Sequence, residues 1–138
     1  MKAVRHRTTI RVRYAETDQM KVVYYGRYFE YFEQARTDLL REQGLSYAEM
    51  EREGIFLPVI EAHASYHRSA SYDDRIVIES IVREVPAARI RIDYVVTKEG
   101  AEVVLAEGYT VHSFMNAATG RPTRPPRRLV EIFENALR

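Results

Sequence analysis

One long helical pattern lies among short segments that alternate like β-strands, and this change of period constrains the fold more than any other feature. From residue 24 to residue 43, apolar side chains recur at helical spacing, which indicates an amphipathic helix. Gly44 then supplies a helix stop. At 1.5 Å per residue this helix is about 25–30 Å long, comparable to the width of a small domain. Its apolar stripe comprises Tyr28, Phe32, Ala35 and Leu39, with Tyr31 and Leu40 beside them.

Five segments show the period of two that is typical of half-buried strands. In residues 8–14, for example, apolar side chains alternate with Arg11 and Arg13. The connections between the last three segments are too short for the crossover that parallel neighbours need, so we expect antiparallel pairing. The predicted strands cover residues 8–14, 59–66, 75–85, 89–97 and 102–115.

Two shorter helical signals complete the pattern. Ser46-Tyr47-Ala48-Glu49 matches a capping box and predicts a short helix that ends at Gly54. An apolar stripe over residues 129–137 predicts a terminal helix. This order of elements predicts an α+β fold, in which a five-stranded antiparallel sheet is buried on one face by the long central helix.

The two faces of the predicted sheet differ in character. Ala106, Gly108 and Thr110 share one face of the last strand and are small, so the helix can lie close against them. The opposite face is too charged to bury a second layer. Strand 59–66 has loops on both sides and is the candidate edge for pairing with another subunit. The charged face is lined by Arg11, Arg13, Arg89, Arg91 and Asp93.

Composition narrows the class of protein. With 138 residues and 46% apolar composition, the chain has the size of one domain, which we expect over residues 1–138. The formal charge of +1 predicts no general attraction to nucleic acid or to a membrane surface. There are no cysteines, and no apolar run approaches the ~20 residues of a membrane helix. We therefore expect a soluble, cytoplasmic protein.

Asp18 lies a few residues ahead of the long helix, where backbone N–H groups lack partners and negative charge is favoured. Two interpretations of this carboxylate are open. It caps the helix or forms an Asx-turn. Alternatively, it acts as general base or nucleophile on an acyl carbonyl, while N–H groups around Tyr25 and Gly26 stabilise the oxyanion.

The stretch from Asp18 to Tyr28 resembles the signature of hot-dog-fold acyl-CoA thioesterases of the 4-hydroxybenzoyl-CoA thioesterase type. Phe32-Glu33-Gln34-Ala35-Arg36 and Gly44-Leu45-Ser46-Tyr47 extend the resemblance. It implies a hot-dog fold, hydrolysis of an acyl-CoA substrate, and no metal or organic cofactor. It also implies edge-to-edge homodimers that often assemble into tetramers. Weaker similarity continues through Tyr66, residues 72–74, residues 106–108 and residues 120–122, so that it covers nearly the whole chain.

The resemblance also implies roles for particular residues. The family's catalytic aspartate corresponds to Asp18, and its oxyanion donor corresponds to the backbone N–H of Tyr25. Two positions depart from the family pattern, because Lys21 replaces a usual glycine and Arg27 replaces a frequent asparagine. If that glycine serves a turn with positive φ, Lys21 strains or reshapes the loop. The predicted substrate-binding residues, at a dimer interface, are Val22, Val23, Tyr24, Gly26, Tyr28, His63 and Tyr66.

Other polar side chains carry less information. His63 and His67 are four residues apart, which in a strand separates them by about 13 Å, too far to share a metal ion. We therefore predict no metal site. Five arginines are candidates for contact with the CoA phosphates, although most arginines simply lie on the surface: Arg68, Arg89, Arg91, Arg121 and Arg124.

Two other functions are open at this point. A non-catalytic acyl-CoA or acyl-carrier-protein binding protein would keep the fold and lose turnover through Lys21 and Arg27. An interaction protein would use the basic tail of residues 121–128 to recruit an acidic partner or RNA. A hot-dog dehydratase is less favoured, because no His-containing active-site segment of the usual kind lies near a helix start.

Overall fold

The computed structural model describes residues 2–138, and its elements follow the predicted order. A short 3-10 turn at Tyr14–Glu16 leads from the first strand towards the long helix. The strands and helices in chain order are β1 (Val4–Arg11), α1 (Arg27–Glu42), α2 (Tyr47–Arg52), β2 (Ile55–Phe56), β3 (Val59–Tyr66), β4 (Arg75–Val82), β5 (Arg89–Lys98), β6 (Val104–Ser113), β7 (Met115–Asn116) and α3 (Arg127–Ala136).

The long strands form one five-stranded antiparallel sheet in the order β1-β4-β5-β6-β3, while β2 and β7 pair separately. The predicted α+β fold is therefore confirmed. The predicted bounds of the first strand, residues 8–14, are wrong at both ends, because β1 begins at Val4 and ends at Arg11. The chain turns after Arg11 because the backbone N–H of Arg13 donates to the Glu16 carboxylate at 2.8 Å.

Helix α1 packs its apolar stripe against the sheet. Phe32 is fully buried, and its ring stacks on that of Tyr94 with 4.3 Å between the centroids. Gly108 on β6 makes room for this contact. A Cβ added there would lie 3.0 Å from the Phe32 ring and 2.1 Å from the carbonyl oxygen of His63. The predicted close approach between the helix and this small position is confirmed.

The ends of the helices follow local chemistry. Helix α1 starts at Arg27, later than predicted, because the N–H groups of Arg27 and Tyr28 close tight turns with the carbonyls just before the helix. Gly44 has a φ of +92°, as expected for a helix stop. Ser46 caps α2, since its hydroxyl accepts the N–H of Glu49 at 3.2 Å.

Strand β3 forms one edge of the sheet, as predicted, and most of its helix-side residues remain exposed. A β-bulge between Val59 and Glu61 shifts the predicted alternation, so Val59 lies on the helix side opposite His112. Ala62 and Tyr66 lie on this same side further along the strand. Helix α1 packs mainly on β1 and β4, which leaves this side of β3 exposed.

The other face of the sheet is charged, as predicted, although Arg13 lies beyond β1 and outside this face. The Asp93 carboxylate accepts hydrogen bonds from Arg83 and Arg91. The Arg91 guanidinium also lies 3.9 Å from the centroid of the Tyr109 ring. Because of these pairs the face is polar, and the hydrophobic core lies only on the helix side of the sheet.

The terminal helix α3 packs into the core. Leu129 and Phe133 are buried, and Arg128 donates to the carbonyl of Gly44 at 2.8 Å and to the Glu49 carboxylate at 3.3 Å. The basic tail is therefore attached to the rest of the chain. Within residues 2–138, no helix combines the length and the apolar character needed to cross a membrane.

Candidate active site

The loop before α1 is a tight hairpin that positions Asp18. The N–H of Asp18 donates to the carbonyl of Val22, and the N–H of Lys21 donates to the carbonyl of Asp18, both at 2.9 Å. Val23 then donates to the carbonyl of Ala70 at 2.8 Å, which ties the loop to the segment before β4. Residues 18–23 thus have a defined conformation although they lie outside the main sheet.

The two departures from the family pattern affect this loop differently. Lys21 adopts a φ of +66°, a left-handed conformation that closes a three-residue hairpin loop and favours glycine. The positive φ considered for this position is therefore found at Lys21, and the turn itself is kept. Arg27 donates to the Glu30 carboxylate at 3.0 Å and to the carbonyl of Ala15 at 3.3 Å. It therefore helps to hold the helix start in place.

The Asp18 carboxylate is half-buried and forms the Asx-turn that one interpretation predicted. Its Oδ1 accepts the N–H of Met20 at 2.8 Å, whereas Oδ2 accepts no hydrogen bond in the described part of the chain. The Tyr25 hydroxyl raises the pKa of Tyr24, and burial and the Asp18 carboxylate add smaller shifts in the same direction. Asp18 is thus oriented, keeps one free oxygen, and lies within electrostatic reach of the tyrosines at the helix start.

The start of α1 leaves two backbone N–H groups free. Those of Arg27 and Tyr28 donate to the carbonyls of Tyr24 and Tyr25, whereas those of Tyr25 and Gly26 meet no acceptor among residues 2–138. No side chain caps the helix at Gly26, and a Cβ there would lie 3.0 Å from the Tyr24 ring. Free N–H groups at a helix start are suitable donors for a developing negative charge.

A cavity of about 240 Å³ opens beside Tyr25, larger than the ~150 Å³ that holds a benzene ring. The Tyr66 hydroxyl donates to the carbonyl of Tyr25 at 3.2 Å, and the Tyr66 ring lies 5.3 Å from that of Tyr28. Burial raises the pKa of Tyr66, so its hydroxyl keeps the proton that it donates. The cavity is lined by Val23, Tyr25, Tyr28, Tyr66, His67, Arg68 and Ser69.

The structure brings several predicted residues together and separates His63 from them. His63 lies on the opposite face of β3 from Tyr66, because alternate side chains of a strand point to opposite faces. Its ring stacks on that of Tyr109 at 5.4 Å, and its Nε2 lies 3.2 Å from the Ser65 hydroxyl. Within one copy of the chain, His63 does not line the cavity beside Tyr25.

Other predicted residues support the cavity without lining it. Val22 pairs with Ser71 in an isolated bridge, and the Tyr24 ring lies 4.5 Å from the Tyr25 ring. Asp18 also lies outside the lining. Of the arginines considered for contact with CoA, Arg68 lines the cavity, whereas Arg91 lies on the charged face of the sheet.

Glu16 is a buried carboxylate to which the sequence analysis assigned no role. It is 7% exposed and accepts hydrogen bonds from the Tyr31 hydroxyl at 3.1 Å and from the N–H of Arg13 at 2.8 Å. Its carbonyl accepts the N–H of Tyr24 at 2.9 Å. Burial, and then the Glu16 charge, raise the pKa of Tyr31. Glu16 thus joins the turn after β1 to α1, and no spacing in the sequence distinguishes it from an exposed glutamate.

The acidic and histidine side chains around the cavity are spread apart. Within residues 2–138, no three His, Cys, Asp or Glu side chains come together in a way that could hold one. His67, which borders the cavity, bonds to the Glu107 carboxylate at 3.1 Å. The polar groups beside the start of α1 are a carboxylate, free backbone N–H groups and tyrosine hydroxyls.

Comparisons with known proteins agree with this architecture. The family model described as the thioesterase-like superfamily matches residues 12–133. The putative acyl-CoA thioesterase YneP of Bacillus subtilis is 37% identical over 75 residues, which cover 54% of each chain. Two solved structures match over most of their length. The hypothetical protein TT1821 from Thermus thermophilus has 35% identity and a TM-score of 0.87, with 94% of this chain and 98% of that chain covered.

The second solved structure that matches most of the chain is that of a DHNA-CoA thioesterase from Staphylococcus aureus. It has 32% identity and a TM-score of 0.90, with 95% of this chain and 89% of that chain covered. The matched family model spans most of the chain, from the end of β1 to α3, and the sheet and central helix are those of the hot-dog fold. The chain therefore belongs to the thioesterase-like superfamily.

Proposed function

We propose that this protein hydrolyses acyl-CoA thioesters to the free acid and CoA at the cavity beside the start of α1. Asp18 is the general base or the nucleophile, and the backbone N–H of Tyr25 is the oxyanion donor. The observation that carries the proposal is the pair of free N–H groups at Tyr25 and Gly26 beside a largely aromatic cavity. The superfamily, and relatives named as thioesterases, support the class of reaction.

Two routes are compatible with this arrangement. In the first, the Asp18 carboxylate attacks the carbonyl carbon, the CoA thiolate leaves, and water hydrolyses the acyl-aspartyl anhydride. In the second, Asp18 takes a proton from water while that water attacks the carbonyl carbon, and the CoA thiolate leaves. In both, negative charge develops on the carbonyl oxygen, where the N–H of Tyr25 stabilises it. Each route consumes one water and yields an acid and a thiol.

The Asx-turn of Asp18 supports a catalytic role. It holds the carboxylate through Oδ1 and leaves Oδ2 free to act on a substrate or a water. Asp18 lies outside the cavity lining, and the neighbouring Met20 is 77% exposed, so one copy of the chain leaves this side of the site open. A second surface is needed to enclose the substrate.

We propose that this surface comes from a homodimer in which β3 pairs edge to edge with β3 of a second copy. An exposed edge strand with unpaired N–H and carbonyl groups favours such pairing. Val59 and Ile60 are each 46% exposed on this edge, so that pairing also removes apolar surface from water. Assembly into tetramers and a cytoplasmic location are predictions from the sequence.

The test is the release of free thiol from a panel of aliphatic and aromatic acyl-CoAs. Asp18→Asn keeps an oxygen that can accept the N–H of Met20, but it removes the charge. We expect kcat to fall by a factor of ~10² or more. The matched control is Asp73→Asn. Asp73 is an exposed carboxylate that pairs with Arg11, and asparagine tolerates its φ of +72°.

The outcome separates the proposed enzyme from its alternatives. Turnover that survives in Asp18→Asn, or that falls equally in Asp73→Asn, would contradict the role of Asp18. Binding of acyl-CoA without any turnover in the wild type would favour the non-catalytic acyl-CoA or acyl-carrier-protein binding protein. The basic tail cannot be tested by deleting residues 121–138, because buried Leu129 and Phe133 would be lost. Exchanging exposed Arg121 and Arg124 for alanine tests it without removing core residues.

A further inference from the structure

Arg36 is a buried cation without a counter-charge. It lies in the middle of α1 and is 9% exposed. Its Nε is fully buried and has no acceptor, and its guanidinium forms no ion pair within residues 2–138. Because a buried charge is costly unless it is paired, this arrangement indicates that an acceptor outside the chain completes the site.

The groups around Arg36 do not supply that charge. His112 is buried, with Nδ1 3.2 Å from the carbonyl of Leu57 and Nε2 2.9 Å from the Thr110 hydroxyl. Burial, and then the Arg36 charge, lower the pKa of His112 to about 4, so it is neutral. The Thr110 hydroxyl also bonds to that of Tyr94 at 2.7 Å. These groups are neutral, so even the Tyr94 hydroxyl, which lies within hydrogen-bonding reach of Arg36, supplies no negative charge to the guanidinium.

A groove of about 210 Å³ leads from Arg36 to the surface between α1 and β3. It lies on the exposed helix side of β3, next to the edge that we propose pairs with a second copy. Glu30, on its wall, is already paired with Arg27 at 3.0 Å, whereas Glu33 is exposed and forms no ion pair within residues 2–138. Besides Arg36, the groove is lined by Phe29, Glu30, Glu33, Val59, Ala62 and Thr110.

Charge favours a second copy over a small anion as the occupant. A small anion would meet the Glu33 carboxylate together with Arg36, so net negative charge would gather in the groove. A second copy brings one Glu33 and one Arg36, and the four charges then sum to zero. Glu33 and Arg36 are three residues apart and therefore lie on neighbouring positions of one helix face. That spacing allows the same pair to form twice across a twofold axis.

We propose that Arg36 pairs with Glu33 of the partner subunit, and Glu33 with Arg36 of the partner subunit, where two α1 helices meet antiparallel across the twofold axis. This inference rests on the proposed edge pairing of β3 and names the side chains that complete it. It gives the exposed Glu33 a role and supplies the acceptor that buried Arg36 lacks. Strand pairing then determines which edges meet, and the charge pairs determine the register of the two copies.

The experiment measures self-association of the full chain by sedimentation velocity over a range of concentrations. We expect a dimeric wild type. Glu33→Arg should raise the dimer Kd at least tenfold, because the new arginine of each copy would face Arg36 of the other copy, which gives two repulsive pairs in each dimer. The control is Glu42→Arg, the same charge change at an exposed position at the end of α1, which should leave Kd within about twofold. Arg36→Glu should weaken the dimer as Glu33→Arg does.

Mixing the two reversed variants gives the decisive result. Each homodimer then holds like charges, whereas a mixed dimer of Glu33→Arg with Arg36→Glu restores both opposite-charge pairs. We expect mixed dimers to dominate in native mass spectrometry. If Arg36→Glu does not fold, the comparison of Glu33→Arg with Glu42→Arg decides, since both positions are exposed.

Three results would overturn the inference: a monomeric wild type, equal association of Glu33→Arg and Glu42→Arg, or two folded variants that do not form mixed dimers. A monomeric wild type that glutarate stabilises against heat would assign the groove to a small anion. Thiol release is measured on the same samples. An active enzyme whose Glu33→Arg variant stays dimeric contradicts the ion pair and leaves the proposed function standing.

Discussion

The start and the middle of α1 differ in how completely their polar groups are satisfied. At the start, the N–H of Tyr25 and one oxygen of Asp18 have no hydrogen-bond partner within residues 2–138. In the middle, Phe32 is fully buried, the hydroxyl of Thr110 and the ring of His112 on β6 bond to each other, and the exception is the buried Nε of Arg36. Native proteins satisfy buried polar groups and leave exceptions where function requires them. We therefore expect the middle of this helix, apart from Arg36, to serve mainly stability, and its start to bind the proposed substrate.

The largest effect on stability should come from the middle of the helix. Phe32→Ala removes a fully buried ring stacked on Tyr94, so the free energy of unfolding should fall by about 3–5 kcal/mol. Phe56→Ala is the control, because that ring is 39% exposed, and it should cost no more than about 1.5 kcal/mol. Urea denaturation measures both. Equal losses would show that the middle of α1 is not specially packed.

The second-largest effect should be a pH dependence of the free energy of unfolding, caused by His112. Its pKa is lowered from 6.5 to about 4 in the folded protein, so between these values the unfolded chain binds more protons. Stability should therefore fall as pH is lowered from 6.5 to about 4, by roughly 3 kcal/mol in total, and this loss is complete below the folded pKa.

Urea denaturation at several pH values measures this loss. His112→Gln should flatten the profile in that pH range relative to the wild type. The control His63→Gln, at an exposed ring, should keep the wild-type slope. A wild-type slope in His112→Gln would mean that other groups cause the acid sensitivity.

A smaller effect, on the kcat of the proposed hydrolysis, should follow from loss of the Tyr66 hydroxyl. Tyr66→Phe removes the hydrogen bond to the carbonyl of Tyr25 and so loosens the backbone of the residue whose N–H is the proposed oxyanion donor. We expect kcat to fall about three- to tenfold, which corresponds to about 1 kcal/mol, with little change in stability. Tyr72→Phe, at a ring that is 59% exposed, should leave kcat unchanged. An unchanged kcat in Tyr66→Phe would mean that this hydrogen bond does not help to position the oxyanion donor.

The smallest effect should be a change in stability at the turn that contains Lys21. Lys21 adopts a φ of +66°, where glycine is favoured, so Lys21→Gly should raise the free energy of unfolding by about 0.5–1 kcal/mol. Met20→Gly adds the same flexibility at a position without positive φ, so it should not stabilise. Denaturation midpoints of the two variants test this. Stabilisation by both would mean that backbone strain at Lys21 is not the cause.

Much of the fold was predictable from local patterns. The periodicity of α1, the stop at Gly44 and the cap at Ser46 depend on neighbouring residues in the chain, and the structure confirms each. Gly108 was also predictable, because small residues on one face of a strand indicate a close neighbour. The resemblance carried by residues 18–28 predicted the family, which the comparisons confirm.

Features that depend on distant partners were not predictable in this way. The β-bulge beside Val59 follows from its pairing with β6, so the alternation read from the sequence shifts there. The buried carboxylate of Glu16 depends on Tyr31, which lies on another element. Arg36 was assigned to neither face of the predicted helix, and its burial depends on β6, which is distant in the chain. The roles of Asp18 and Tyr25 stay predictions until thiol release is measured.

By itself, the sequence determined which segments become helix or strand, that the long helix stops before Gly44, and that a carboxylate precedes this helix. These properties follow from side-chain period and backbone conformation within a few residues. Only the tertiary structure decided that Tyr66 meets Tyr25, that Glu16 is buried against Tyr31, and that Arg36 is buried without a counter-charge. Such contacts join residues that are far apart in the chain. They therefore depend on the order of the strands in the sheet and on where the helix packs against it.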